Sequence, residues 1–258
     1  MIQKLGRKVL NTGKAILYFM GFFYNILKET VLFFRKNQVG YKVLIMQILF
    51  TGVEALTISA ILAIGIGAAI NIIGASLLPA FGQSQLMYTI LIIIITRELG
   101  PLLTAFIIIA RSGTAIATEL GSMVVSHEIE AYISVGINPI SYLAVPRFIG
   151  VTVAIFILSI YFNIFGLMGS FLIVQFIKPL PPMDYLSGIF AMLTPKDLFS
   201  GLIKSMVFGM IVSTIACYEG FNVDRASTEV PVAGIKAVGN SFVLCIIADI
   251  IITILYYI

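Results

Sequence analysis

Six residues, Thr96-Arg97-Glu98-Leu99-Gly100-Pro101, interrupt an apolar stretch that runs from Leu86 to Ala110. Four consecutive isoleucines, Ile92 to Ile95, lead into the break. An apolar run of this length predicts a membrane-spanning helix. Charges at the centre of such a helix cost about 2.5–3.5 kcal/mol each on insertion scales, so they require partners inside a bundle. Pro101 lacks the N–H that would bond the Arg97 carbonyl four residues back, which predicts a bend or a loosened turn beside the charges. Gly100 permits another backbone to approach closely at that point.

The whole chain is built for a bilayer. It has 258 residues, 60% of them hydrophobic and only 11% charged. That composition excludes a soluble domain and predicts an all-α polytopic membrane protein, organised as one domain over 1–258. Charge is segregated within it. Residues 1–46 carry a local charge of +7, and the remainder is net −3. A basic segment against anionic lipid headgroups accounts for this better than nucleic-acid binding. Cys217 and Cys245 sit in or beside apolar runs with no metal-ligand spacing, so no metal site is expected. No short h-region with a small-residue cleavage site follows the first bases, and no signal peptide is expected. The phosphate-binding pattern G-x-x-x-x-G-K-[ST] does not occur, so an ATP-driven process would need a separate ATPase subunit.

In chain order, residues 1–42 predict an amphipathic interfacial helix. Its apolar core, Ala15 to Leu27, is too short to cross a hydrocarbon layer of about 30 Å. A true span through this segment is the alternative. Five spans follow over 43–258: Val43 to Leu78, Leu86 to Met123, Pro146 to Ile177, Leu198 to Tyr218, and Val232 to Ile258. Gly65 with Ala69, and Gly113 with Ala117 and Gly121, are small residues at i, i+4 spacing that suit close helix contact. Between the second and third spans, 126–138 predicts a short helix capped by Ser126, with Glu128 and Glu130 in its first turns. Gly136 and Pro139 end it, and Ile129, Tyr132 and Ile133 share a face. Residues 178–198 form the loop on the far side, closed by Thr194-Pro195-Lys196-Asp197. With the basic N-terminus cytoplasmic, the 126–138 helix and the 219–231 loop are cytoplasmic too.

Arg97, Glu98, Lys204 and Asp249 are the charges expected at membrane depth. Two readings stay open. They form ion pairs that lock the bundle, or they line a cavity for a polar headgroup and change partners during transport. By sign alone Arg97 pairs with Asp249 and Glu98 with Lys204. Glu54, Arg111 and Glu119 lie nearer the span ends, where pairing or snorkelling is expected.

The block Arg97-Glu98-Leu99-Gly100-Pro101-Leu102-Leu103-Thr104-Ala105 resembles the signature of the MlaE/YrbE permease family. So does Ala110-Arg111-Ser112-Gly113-Thr114 through Met123. The Glu128-Ile129-Glu130-Ala131-Tyr132 segment with Val135-Gly136-Ile137-Asn138-Pro139 is similar to the family's E-Q-I-D-A-L-x-x-M-G-x-x-P segment, with His127, Glu130 and Tyr132 in place of commoner residues. Val145-Pro146-Arg147, Cys217-Tyr218-Glu219-Gly220 and Val238-Gly239-Asn240-Ser241 extend the resemblance along the chain.

The resemblance implies a permease subunit of a lipid ABC transporter in the bacterial inner (cytoplasmic) membrane. It further implies a homodimer with a cytoplasmic ATPase that binds ATP and Mg on each copy, an outer ring of MCE-domain proteins, and phospholipid as cargo. The chain would itself be no enzyme and hold no cofactor. The 126–138 helix would be the coupling helix, with Glu128, Ile129, Glu130, Tyr132 and Ile133 facing the ATPase. By position near the outer turn, Leu77, Leu78, Phe81 and Tyr88 would meet acyl chains. An ion-coupled secondary transporter, or a passive anchor for the MCE ring, are the alternatives.

Overall fold

The computed structural model describes residues 2–36, 41–78, 85–177 and 181–257. Eight helices account for nearly all of these, with no strand among the described residues. They are α1 (Ile2–Lys36), α2 (Tyr41–Leu77), α3 (Leu86–Val125) and α4 (Glu128–Ser134). After them come α5 (Ile140–Phe176), α6 (Pro182–Met192), α7 (Pro195–Phe221) and α8 (Glu229–Tyr257). Five of them, α2, α3, α5, α7 and α8, are long and apolar enough to cross a membrane.

Burial orders the bundle. About half of each apolar window is buried in α3, α5 and α7 (56%, 50% and 56%), against 28% in α2 and 11% in α8. The first three helices therefore form the centre, and α2 and α8 flank it. α5 packs between α2 and α7, while α7 also meets α3 and α8. Leu120, Ile155, Leu158, Phe208 and Val212 fill the main core.

Four π-helical turns, each holding one more residue than an α turn, interrupt two of the central helices. In α3 they are Ile93–Leu99 and Ile109–Gly113; in α5 they are Ile140–Ala144 and Phe165–Gly169. The first lies directly ahead of Pro101. Within it the Gly100 N–H reaches back to the Ile95 carbonyl, and the ladder loosens where the proline cannot donate. In the last of the four, the Leu167 carbonyl accepts from the Tyr185 hydroxyl of α6 at 2.7 Å. Asn71 of α2 donates to Ser170 (2.8 Å) and to Tyr185 (3.2 Å), so α2, α5 and α6 are fastened at one buried point. Burial there pushes the Tyr185 phenol pKa above its ordinary value.

α1 runs through Lys28 and Glu29 as the helix expected over 1–42 requires, and ends at Lys36. Glu29 is taken up by Ser141, and Ile26 and Phe33 on either side of it are buried. Several boundaries differ from the sequence reading. α5 begins at Ile140, not Pro146, because a π turn ahead of the proline removes the need for its N–H. α7 begins at Pro195, inside the expected loop, because Thr194 and Asp197 form a reciprocal capping box. Ser126 does not cap α4. His127 takes the cap position with φ 60°, and the Ser126 hydroxyl donates to Glu128 instead. Gly65 and Ala69 both point away from the bundle, and the tight contact is made by Gly67 against Gly166 and Ser170 of α5. Gly113, Ala117 and Gly121 are all buried, as their spacing predicts.

α5 and α7 come closest at Gly209, where an added Cβ would stand 2.6 Å from the Thr152 Cα. Backbone cannot swing aside as a flexible side chain can. Gly209→Ala should therefore destabilise the bundle by about 1–3 kcal/mol. Thermal unfolding of the detergent-solubilised protein should show a lowered midpoint; an unchanged one would mean the two helices are not held this close.

Candidate functional site

Lys204 of α7 is fully buried in the membrane-spanning part of the bundle. Its ammonium has three N–H donors, and three oxygens surround it. Glu98 Oε2 of α3 lies at 2.5 Å, Thr253 Oγ1 of α8 at 2.7 Å, and Asp249 Oδ1 of α8 at 2.9 Å. One cation thus ties together three helices. Arg97 is buried beside it. Its Nη1 meets Asp197 Oδ1 at 3.4 Å and its Nε meets Glu98 Oε1 at 3.6 Å. The guanidinium carbon stands 4.7 Å from the centre of the Tyr256 ring, and the Tyr256 hydroxyl donates to Asp197 at 3.2 Å. Asp197 stands in the first turn of α7 and Tyr256 in the last turn of α8, so the network reaches one end of the bundle.

The four charges expected at membrane depth are all in this network, and of the two pairs expected by sign Glu98 with Lys204 forms while Arg97 with Asp249 does not. Lys204 takes both Glu98 and Asp249, and Arg97 takes Asp197. Asp197 is the residue that sequence reasoning missed. It was assigned to a loop, yet it sits in the first turn of α7 with 7% exposure. Thr194-Pro195-Lys196-Asp197 carries the signal that would have found it: a cap threonine, proline at the first helical position and a carboxylate three residues after the cap. The network therefore holds two cations and three carboxylates. Further along the spans, Arg147 pairs with Glu119 at 2.8 Å, and Arg111 pairs with Glu54.

Two surfaces flank the network. Toward α6, α2 and α3 enclose an apolar groove of 280 Å³ lined by Ile73, Gly74, Leu77, Leu78, Met87, Ile90 and Ile94, among others. Leu77 and Leu78 belong to it. Tyr88 turns away and packs edge-on against Tyr185 at 5.8 Å, and Phe81 lies outside the described residues. Ile94 of its lining belongs to the same π turn that carries Arg97 and Glu98.

At the opposite end of the bundle, α4 is held by Ile129 and Tyr132, which pack on the main core, with Tyr132 also against Tyr142 at 5.4 Å. The expected stripe is therefore split: Ile133 is 59% exposed and continues outward with Val135 at 71%. Glu130 is bridged to Arg225 at 2.5 Å and to His127 at 2.9 Å, while Glu128 stays exposed. A Schellman turn closes the helix. Gly136 with φ 78° donates to Ile133, and Ile137 donates to Tyr132.

Five helices long and apolar enough to cross a membrane, with a paired charge network among them, define a multi-pass membrane protein. Comparison with known proteins gives the particular family. The family described as permease MlaE matches residues 44–255. A probable ABC transporter permease protein of Rickettsia prowazekii is 33% identical over 222 residues, covering 86% of each chain. A probable ABC transporter permease protein of Synechocystis is 30% identical over 205 residues, 80% of this chain and 75% of that one. The chloroplastic protein trigalactosyldiacylglycerol 1 of Arabidopsis thaliana is 28% identical over 229 residues, 89% of this chain and 65% of its own length. The chain belongs to the MlaE permease family.

Removing Lys204 would strand two carboxylates in the bundle. Lys204→Ala should cost about 3–5 kcal/mol, the usual penalty for breaking a buried ion pair from one side. Thr253→Val removes one hydroxyl partner and should cost only about 1 kcal/mol. Chemical unfolding of both variants in detergent tests the order; equal losses would deny Lys204 its central place.

Proposed function

We propose that this chain is the membrane-spanning subunit of an ABC transporter that moves phospholipid or a similar amphiphile, powered by a separate ATPase. The observation that carries this reading is the junction of the α2–α3 groove with the Arg97–Glu98 π turn. A lipid has an apolar tail and a polar head; the groove supplies an apolar wall, and its Ile94 shares a π turn with Arg97 and Glu98. Arg97 is suited to a phosphate because its guanidinium can bond two oxygens at once. The name of the Arabidopsis relative, which is that of a galactolipid, supports a lipid as the class of cargo.

In this reading α4 is the coupling helix. Ile133 and Val135 form its apolar contact and Glu128 its charged one, while Ile129 and Tyr132 transmit motion to the core. Two copies pair through the sparsely buried flanking helices, where the outward-facing Gly65 and Ala69 permit close approach. The N-terminus and α4 lie on the cytoplasmic side of the bacterial inner membrane, and an MCE-domain ring receives or delivers lipid on the other. ATP and Mg are bound by the partner ATPase, and this chain contributes no catalytic residue. Its own part is to hold the headgroup and to change the pairing among Arg97, Glu98, Lys204, Asp197 and Asp249 as the bundle moves.

Reconstitution with the ATPase and MCE partners tests the scheme. Glu98→Ala or Asp249→Ala should lower transfer of a fluorescent phospholipid by at least about tenfold, the effect of about 1.4 kcal/mol, while the assembly still forms. Normal transfer by either variant would leave the network a purely structural device. Ile133→Asp should instead release the ATPase during purification and leave the folded permease intact; retention of the ATPase would remove α4 from the docking surface.

A further inference from the structure

A second groove lies at the α1 end of the bundle, remote from the charge network. It measures 780 Å³, within the range of about 300–1,000 Å³ typical of ligand pockets. One wall is α1, through Leu17, Tyr18, Gly21 and Phe22; the other is the end of α7, through Tyr218 and Phe221. Phe22 holds the walls together by edge-on contacts to Tyr218 (5.7 Å) and Phe221 (6.1 Å). Each wall also offers one amide side chain, Asn25 and Asn222.

Two features of α1 indicate an occupant. The first is charge. Lys14, Leu17, Tyr18, Gly21, Asn25 and Lys28 recur at spacings of three and four, so a lysine closes each end of the groove-facing stripe. Both lysines are exposed. The second is Gly21. A glycine inside a helix costs about 1 kcal/mol relative to alanine, and close packing usually repays it. Here a Cβ would meet nothing within 4 Å. The space over Gly21 is left open by the chain itself.

We infer that this groove holds an anionic phospholipid of the leaflet on the α1 side, independently of any lipid carried by the α2–α3 groove. An acyl chain lies over Gly21 between the aromatic walls. A lysine receives the headgroup phosphate, and the amides of Asn25 and Asn222 donate to its oxygens. Aromatic rings and lysines flanking an apolar surface are the residues that bind a helix into the membrane interface. A second copy fits less well, because two-fold pairing of this face would bring basic α1 segments together.

The test uses the full-length protein in nanodiscs of equal parts dioleoylphosphatidylglycerol and dioleoylphosphatidylethanolamine, released for native mass spectrometry. The wild type should retain phosphatidylglycerol in preference to phosphatidylethanolamine. Replacing both Lys14 and Lys28 by Gln should lower that retention roughly tenfold or more, since each lysine near a membrane contributes about 1 kcal/mol. Gly21→Leu should empty the groove with no change in the thermal midpoint. Leu172→Trp, on an exposed face of α5 outside both grooves, should leave that preference untouched. Equal retention of the two lipids, full retention by Gly21→Leu, or loss on Leu172→Trp would overturn the inference. So would a Gly21→Leu variant that sheds a protein subunit instead of a lipid.

Discussion

The bundle depends on one buried ammonium. Lys204 has no exposure to solvent; its ammonium donates to Glu98 of α3 and Thr253 of α8 and pairs with Asp249 of α8. In hydrocarbon an unpaired charge is costly, so these helices cannot separate freely once the lysine is in place. Dispersion forces pack the rest of the core, but lipid tails compete with apolar side chains for such contacts. They do not compete for the lysine. The same cation also fixes the register of α3 against α7, and Arg97 and Asp197 then meet as its neighbours.

The network is tight without being balanced. Two cations face three carboxylates, and Glu98 serves both cations at once. A group shared in this way can change its allegiance with little net loss, because the partner it leaves retains another. Arg97 keeps Asp197, and Lys204 keeps Asp249. Such redundancy distinguishes a network able to rearrange from a simple bolt.

Much of this was legible in the sequence. The five spans followed from apolar runs, the paired charges from their cost, and the loosened turn from Pro101. Three things were not legible, each for a physical reason. Asp197 looked like loop chemistry because Thr-Pro-Lys-Asp reads equally as a turn or as a helix start; the outcome depends on a partner, Arg97, a hundred residues away. The anchoring of α1 was hidden because Glu29 accepts from the Ser141 hydroxyl, a partner more than a hundred residues away. The split of the α4 stripe came from tertiary contact, since i, i+3 and i+4 spacing gives a shared face but not which edge of it is covered.

The π turns have a consequence for how α3 can transmit force. Each carries one residue beyond an ordinary turn, and one residue subtends about 100° of helix. Between Ile93–Leu99 and Ile109–Gly113 lies a short α segment, Gly100–Ile108, whose rotational phase is set by an extra residue at each end. If the surplus residue passes from one turn of the helix to the next, that segment swivels about its own axis while the helix ends stay where they are. α3 is therefore less a rod than a shaft with two couplings. It can deliver a twist along the membrane normal without being pushed or pulled along its length.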